Sequence, residues 1–194
     1  IHFHTRNPKS GEAVRVHSKK NQDQHASFLK EFPLDDPKTS EVISWMQDLP
    51  LFIEFEAFRV VHACWNDIVI NELIKVTKGG RLTEEQFLLA VDHSSQLFSW
   101  VETTTKGPEA KLPDGYLIYD TEGNGREEVR LQWWNKTAYT WKEIATSVPN
   151  TDQLPVCDLP LSVKQSIYPK ESKPVFFGHY WFSGKPVLQA QNAL

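Results

Sequence analysis

The hydrophobic period changes at Leu51, and that change limits the fold more than any other feature of the chain. Before it, apolar positions recur at helical spacing. His25, Phe28, Leu29 and Phe32 form one i, i+3, i+4, i+7 set, predicting a helix over 21–32. Val42, Trp45, Met46 and Leu49 form another, with Thr39 or Ser40 as N-cap and Pro50 as terminator. After Leu51, LFIEFE (51–56) alternates and FRVVHAC (58–64) is almost wholly apolar. These read as two strands of a tight antiparallel hairpin about Ala57, the second more buried than the first. Helical patterns return over 66–77, stopped by Gly79 and Gly80, and from a capping box at Thr83–Gln86 to about Val101.

The second half reads as loop over 103–115, then strand (YLIYD), glycine turn (TEGNG) and strand (EEVRLQWW). A short helix over 141–144 and a proline-containing loop over 149–174 follow. The chain closes with the strand VFFG, a turn at Ser183 and Gly184, and a strand over 187–194. Alternating helices and strands predict a mixed α/β layered domain, and 194 residues at 40% hydrophobic content suffice for a single domain over 1–194. A net charge of −4 gives no global reason to seek nucleic acid or an anionic membrane. No apolar run approaches the ~18 residues of a membrane span. Two cysteines exclude a disulfide-dense scaffold and a four-cysteine zinc site. With no apolar signal segment in IHFHTRNPKSG, the expected compartment is cytoplasmic.

Two histidines stand apart from the other five. His62 ends the apolar run FRVV, and His179 follows VFFG. In open α/β sheets ligands bind beyond the carboxyl ends of strands, and a strand end holds an imidazole rigidly for a metal. The spacing alone also fits two unrelated core histidines bonded to backbone. If the pair shares one ion, the imidazole nitrogens lie ~3–4 Å apart, about twice a metal–nitrogen bond.

RVVHACW and PVFFGHYW resemble the last two metal-ligand segments of the calcineurin-like metallophosphoesterases, and KGPEAKLPDG and VRLQWW are similar to a bacterial branch of that family. The resemblance covers the whole chain. It implies the C-terminal part of a four-layer α/β/β/α sandwich, a mixed sheet with flanking helices. It also implies metal-dependent hydrolysis of phosphate esters at a dinuclear centre, with His62 and His179 as ligands of one ion. The three earlier family motifs, Gly-Asp-x-His, Gly-Asp-x-x-Asp-Arg-Gly and Gly-Asn-His, are not in this sequence. The only methionine is Met46. The expectation is therefore an internal piece that lacks the N-terminal metal-binding half and a last sheet strand, and is inactive alone. Trp181 stands where many members carry the second histidine of Gly-His-x-His. That departure favours the branch similar to protein Ser/Thr phosphatases and diadenosine tetraphosphatases.

Two ions ~3.5–4 Å apart clamp ester oxygens and acidify a bridging water, and imidazole with carboxylate ligands suits Mn, Fe, Zn or Ni. The phosphorylated substrate, whether phosphoprotein, dinucleotide or small ester, also needs fixed donors. Arg130, beside Trp133 and Trp134, and Lys106, before a Gly-Pro loop, are the candidates; each also fits a solvated face. Cys64 reads as a small buried cysteine rather than a nucleophile, and Trp45 and Trp65 read as packing. His25 reads as a packed histidine, and His2, His4 and His17 are left unranked. The rival reading is a non-enzymatic α/β binding module with structural histidines.

Overall fold

The computed structural model describes residues 1–182, 184, 185 and 187–194. In chain order the elements are α1 (Lys19–Gln24), α2 (Ala26–Glu31), α3 (Pro37–Gln47), β1 (Phe52–Glu54), β2 (Arg59–Val61), α4 (Asp67–Val76), α5 (Glu84–Leu89) and α6 (Gln96–Lys106). Then come β3 (Glu109–Lys111), β4 (Ile118–Tyr119), β5 (Gly125–Arg126), β6 (Glu128–Leu131), α7 (Trp141–Ile144), β7 (Ala145–Thr146), a 3-10 turn (Thr151–Gln153), α8 (Leu161–Lys164) and β8 (Val175–Phe177). Contacts gather these into two compact units, Ile1–Leu51 with Leu73–Ser99, and Phe52–Glu72 with Trp100–Leu194.

In the first unit the expected helix over 21–32 is split at His25, which ends α1 and opens α2. Helix α3 starts at Pro37, earlier than Thr39 or Ser40 would allow. Asp36 is the cap, its carboxylate accepting the Lys38 N–H at 2.8 Å, and proline at the first helical position loses no bond. Thr39 and Ile43 are buried and Val42 and Met46 half-buried. The real stripe thus lies three positions earlier than the spacing suggested, a rotation of about 60° at ~100° per residue. Trp45, expected to pack, is 61% exposed as a result. The capping box is present, Thr83 Oγ1 accepting from Gln86 N and Gln86 Oε1 from Thr83 N. Its helix stops at Leu89, because Asp92 accepts both the N–H and the hydroxyl of Ser94, and Ser95 Oγ accepts from Leu97 N. Such local side-chain bonds compete with the helix ladder.

In the second unit β1 and β2 form the expected antiparallel hairpin, with Phe52 opposite Val61 and Glu54 opposite Arg59. The other edge of β2 pairs in parallel with β8, Val61 beside Phe177. Phe52, Val61 and Val175 point into the core. The strand expected over 187–194 reduces to its end: Phe177 N donates to Leu194 O and Leu194 N to Val175 O, while Val187 and Leu188 are exposed. The turn expected at Ser183 and Gly184 falls partly on a residue outside those described.

The stretch expected as loop over 103–115 holds more structure. Helix α6 runs on to Lys106, and β3 pairs antiparallel with β6, which pairs on its other side with β7. Along β6, Val129 and Leu131 enter a core with Trp141, Ile144 and Leu154, so Glu128 and Arg130 fall on the opposite face. Strands β4 and β5 form a separate hairpin whose loop spans residues 120–124, with Gly123 at φ 81°. Among the described residues no helix is long and apolar enough to cross a membrane.

Candidate metal-binding site

His62 and His179 sit one step beyond the carboxyl end of β2 and two beyond that of β8, which are neighbours in one sheet. The parallel ladder carries on to the first of them, since Gly178 N donates to the His62 carbonyl at 2.9 Å. The backbone after His62 is pinned from two sides. Ala63 N and Cys64 N both reach the Thr104 carbonyl near the end of α6, at 2.9 and 3.4 Å. The indole N–H of Trp133 donates to the Ala63 carbonyl at 3.0 Å. Ala63, Cys64 and Trp65 are buried, while the His62 side chain is exposed. Burial pushes the Cys64 thiol up, which suits an inert core cysteine, and Trp65 packs as expected.

His179 is held differently. Its φ is 67°, and Tyr180 N donates to Gly178 O at 2.8 Å, closing a three-residue turn with His179 at its centre. A γ-turn with positive φ is rare and strained, and such strain concentrates where a side chain must be aimed. The turn brings the His179 ring to 5.2 Å from the His62 ring, centroid to centroid, with 66° between their planes.

Arg130 completes the group. One arm of its guanidinium, Nη1, lies 3.3 Å from His179 Nε2, and the other donates to Glu109 Oε1 at 3.2 Å. Arginine only donates, so Nε2 is the accepting nitrogen and the neutral ring carries its proton on Nδ1. Glu109 and Arg130 are register partners on β3 and β6. Lys106 ends α6 and forms an ion pair with Glu102 at 2.6 Å. Burial, then the charges of Arg130, His62 and Lys106, hold His179 below the usual imidazole range, which favours the neutral, metal-ligating form.

Of the residues singled out in the sequence, His62, His179 and Arg130 come together, and Lys106 acts on His179 through its charge. The remaining candidates do not join them. Phe3 is stacked by His17 at 4.1 Å and met edge-on by His25 at 5.2 Å, with His4 tilted at 5.7 Å. These rings build a small aromatic cluster in the first unit. Sequence reasoning missed Glu109, which lay in a presumed loop, because a strand as short as Glu-Ala-Lys carries almost no alternation signal.

Two imidazoles meet on one rim. Among the described residues no three His, Cys, Asp or Glu side chains gather to hold a metal ion. No protein-family model, curated protein or solved structure matches the chain.

Proposed function

We propose that the chain contributes His62 and His179 as two ligands of one ion in a dinuclear phosphoesterase centre, of the calcineurin-like kind that its sequence resembles. The observation that carries this reading is the convergence of two imidazoles 117 positions apart (179 − 62) at the carboxyl ends of adjacent parallel strands. The donor set fits: both rings reach the same rim, and His179 is kept neutral. The remaining ligands, a bridging carboxylate among them, would come from outside this set. On the same reading the mixed β1-β2-β8 sheet belongs to one layer of a four-layer α/β/β/α sandwich.

Two divalent ions, Mn, Fe, Zn or Ni, would supply an acidified water and offset charge on the ester oxygens. This chain's own residues bind and orient. Nε2 of His179 has one lone pair, so Arg130 gives up that bond wherever the same nitrogen ligates a cation. Its Nη1 is then free to donate to a phosphate oxygen, while Nη2 stays on Glu109. Lys106 adds positive charge at the same rim. One observation favours the rival binding module: the Arg130–His179 bond satisfies the imidazole without any metal.

A chromogenic phosphate ester assayed with added Mn separates the two. The 194-residue chain alone should turn over poorly or not at all, because a second cation is not retained without a bridging negative charge. A longer polypeptide that also carries the three earlier motifs should hydrolyse the ester only with metal. Since loss of groups that merely orient ligands costs ~10–100-fold, His62→Ala should cost at least the upper end of that range, with one metal equivalent. Robust turnover by the 194-residue chain would mean that other residues do the chemistry. No metal and no turnover in such a polypeptide would favour the binding module.

A further inference from the structure

We propose that Tyr180 is a positioning residue for His179, seated on Gly107, and that it acts through the shape of its side chain rather than through a hydrogen bond. The functional weight of this inference rests on the reading of His179 as a ligand. A residue centred in a strained three-residue turn is kept there only when its surroundings over-determine it. Tyr180, the next residue, supplies that constraint. It is 9% exposed, and its ring meets Trp134 at 4.8 Å, Phe177 at 5.7 Å and the His179 ring edge-on at 5.5 Å.

The far end of the ring has an unusual seat. Gly107 has φ 85°, and a β-carbon there would overlap the Tyr180 hydroxyl. That hydroxyl is buried without a hydrogen-bond partner, and the neighbouring Trp133 indole N–H is already committed to Ala63. Burial without a partner penalises a polar group, so hydrogen bonding gives no reason to prefer tyrosine to phenylalanine here. Space does give one: the oxygen fills the volume that the missing side chain of Gly107 leaves open. Gly107 follows Lys106, and the Pro108 carbonyl accepts from Leu131 N at 3.0 Å, at the end of the strand that carries Arg130. The seat is thus tied to the groups that face His179.

The claim makes Tyr180 and Gly107 a size-matched pair, which a double-substitution cycle tests in this chain. The readouts are the imidazole NMR signals of His179 without metal, and the affinity for Zn. Tyr180→Phe alone keeps the ring and should move the His179 signals less than loss of the ring does. Gly107→Ala should move the His179 signals and weaken Zn binding by ~10–100-fold, as loss of ligand-orienting groups does. Adding Tyr180→Phe to Gly107→Ala should recover part of the loss, because the overlap with the hydroxyl is removed while the β-carbon still lies 3.1 Å from ring Cζ and alanine stays strained at φ 85°. Tyr180→Leu, which leaves the glycine in place, should also move the His179 signals, and it decides the matter if Gly107→Ala fails to fold. Unmoved His179 signals in Tyr180→Leu, or purely additive effects in the cycle, would overturn the proposal. If His179→Ala leaves Zn affinity unchanged, the ligand reading fails, while the metal-free signals still decide the positioning.

Discussion

Trp133 is fully buried and donates its indole N–H to the carbonyl of Ala63, one residue past His62. It therefore packs the core and fixes the backbone that presents an imidazole. Trp133→Phe keeps most of the packing but leaves that carbonyl without its donor, which should cost ~1–3 kcal/mol. Trp133→Ala adds a large cavity and should cost ~3–5 kcal/mol. Urea unfolding of the two variants checks both the values and their order; a Trp133→Phe variant as stable as the wild type would mean that the hydrogen bond contributes nothing. Single residues were unevenly legible in the sequence. Trp65 packs because it follows a buried strand, a local relation that survives folding. Trp45 does not pack, because helical spacing shows that a stripe exists and leaves its rotation to the partner surface. Val42 and Met46 belong to both possible stripes, and the structure chose the one through Thr39 and Ile43.

At the scale of elements, the β4–β5 hairpin is fastened by one carboxylate. Asp120 accepts from the backbone N–H of Asn124, from the Arg126 guanidinium and from the N–H of Glu122. The Asn124 bond first, then Arg126, lower its pKa from 3.8 to about 2. A carboxylate with a depressed folded pKa contributes stability that is complete above its unfolded value and is lost as pH falls through its folded value. The hairpin should therefore loosen between pH 3.8 and about 2. Carboxyl NMR of Asp120 should titrate near the lower figure, and a midpoint at the ordinary value would contradict these bonds. The β1–β2 hairpin was readable in the sequence because turn and strands are contiguous; in the second the strand returning from the glycine turn is Gly125–Arg126, while the expected strand EEVRLQWW pairs with β3 and β7 instead. The β2–β8 pairing was not readable from periodicity, since parallel neighbours need a long crossover. It entered only as the expectation that two strand-end histidines meet at one rim. The break between α5 and α6 was missed because the apolar pattern runs past it, and it is the Asp92 and Ser95 side chains that divert the backbone.

Across the whole molecule, contacts divide the chain into two units, and His62, Lys106, Arg130 and His179 all fall in the second. Two sheet ends, one helix end and a strained turn bring them to a single rim. The geometry brings two imidazoles and a guanidinium together there, as the proposed centre requires. Whether His62 and His179 share an ion is the claim on which the rest depends. Zinc ligation strongly shifts the imidazole nitrogen that binds it, so a Zn titration of this chain followed by imidazole nitrogen NMR reads the claim at the atoms concerned. One nitrogen of His62 and one of His179 should shift together, with a common midpoint and one Zn bound, and His62→Ala should weaken the response of His179. Shifts in one ring alone, separate midpoints for the two rings, or a His179 response unchanged by His62→Ala would contradict it.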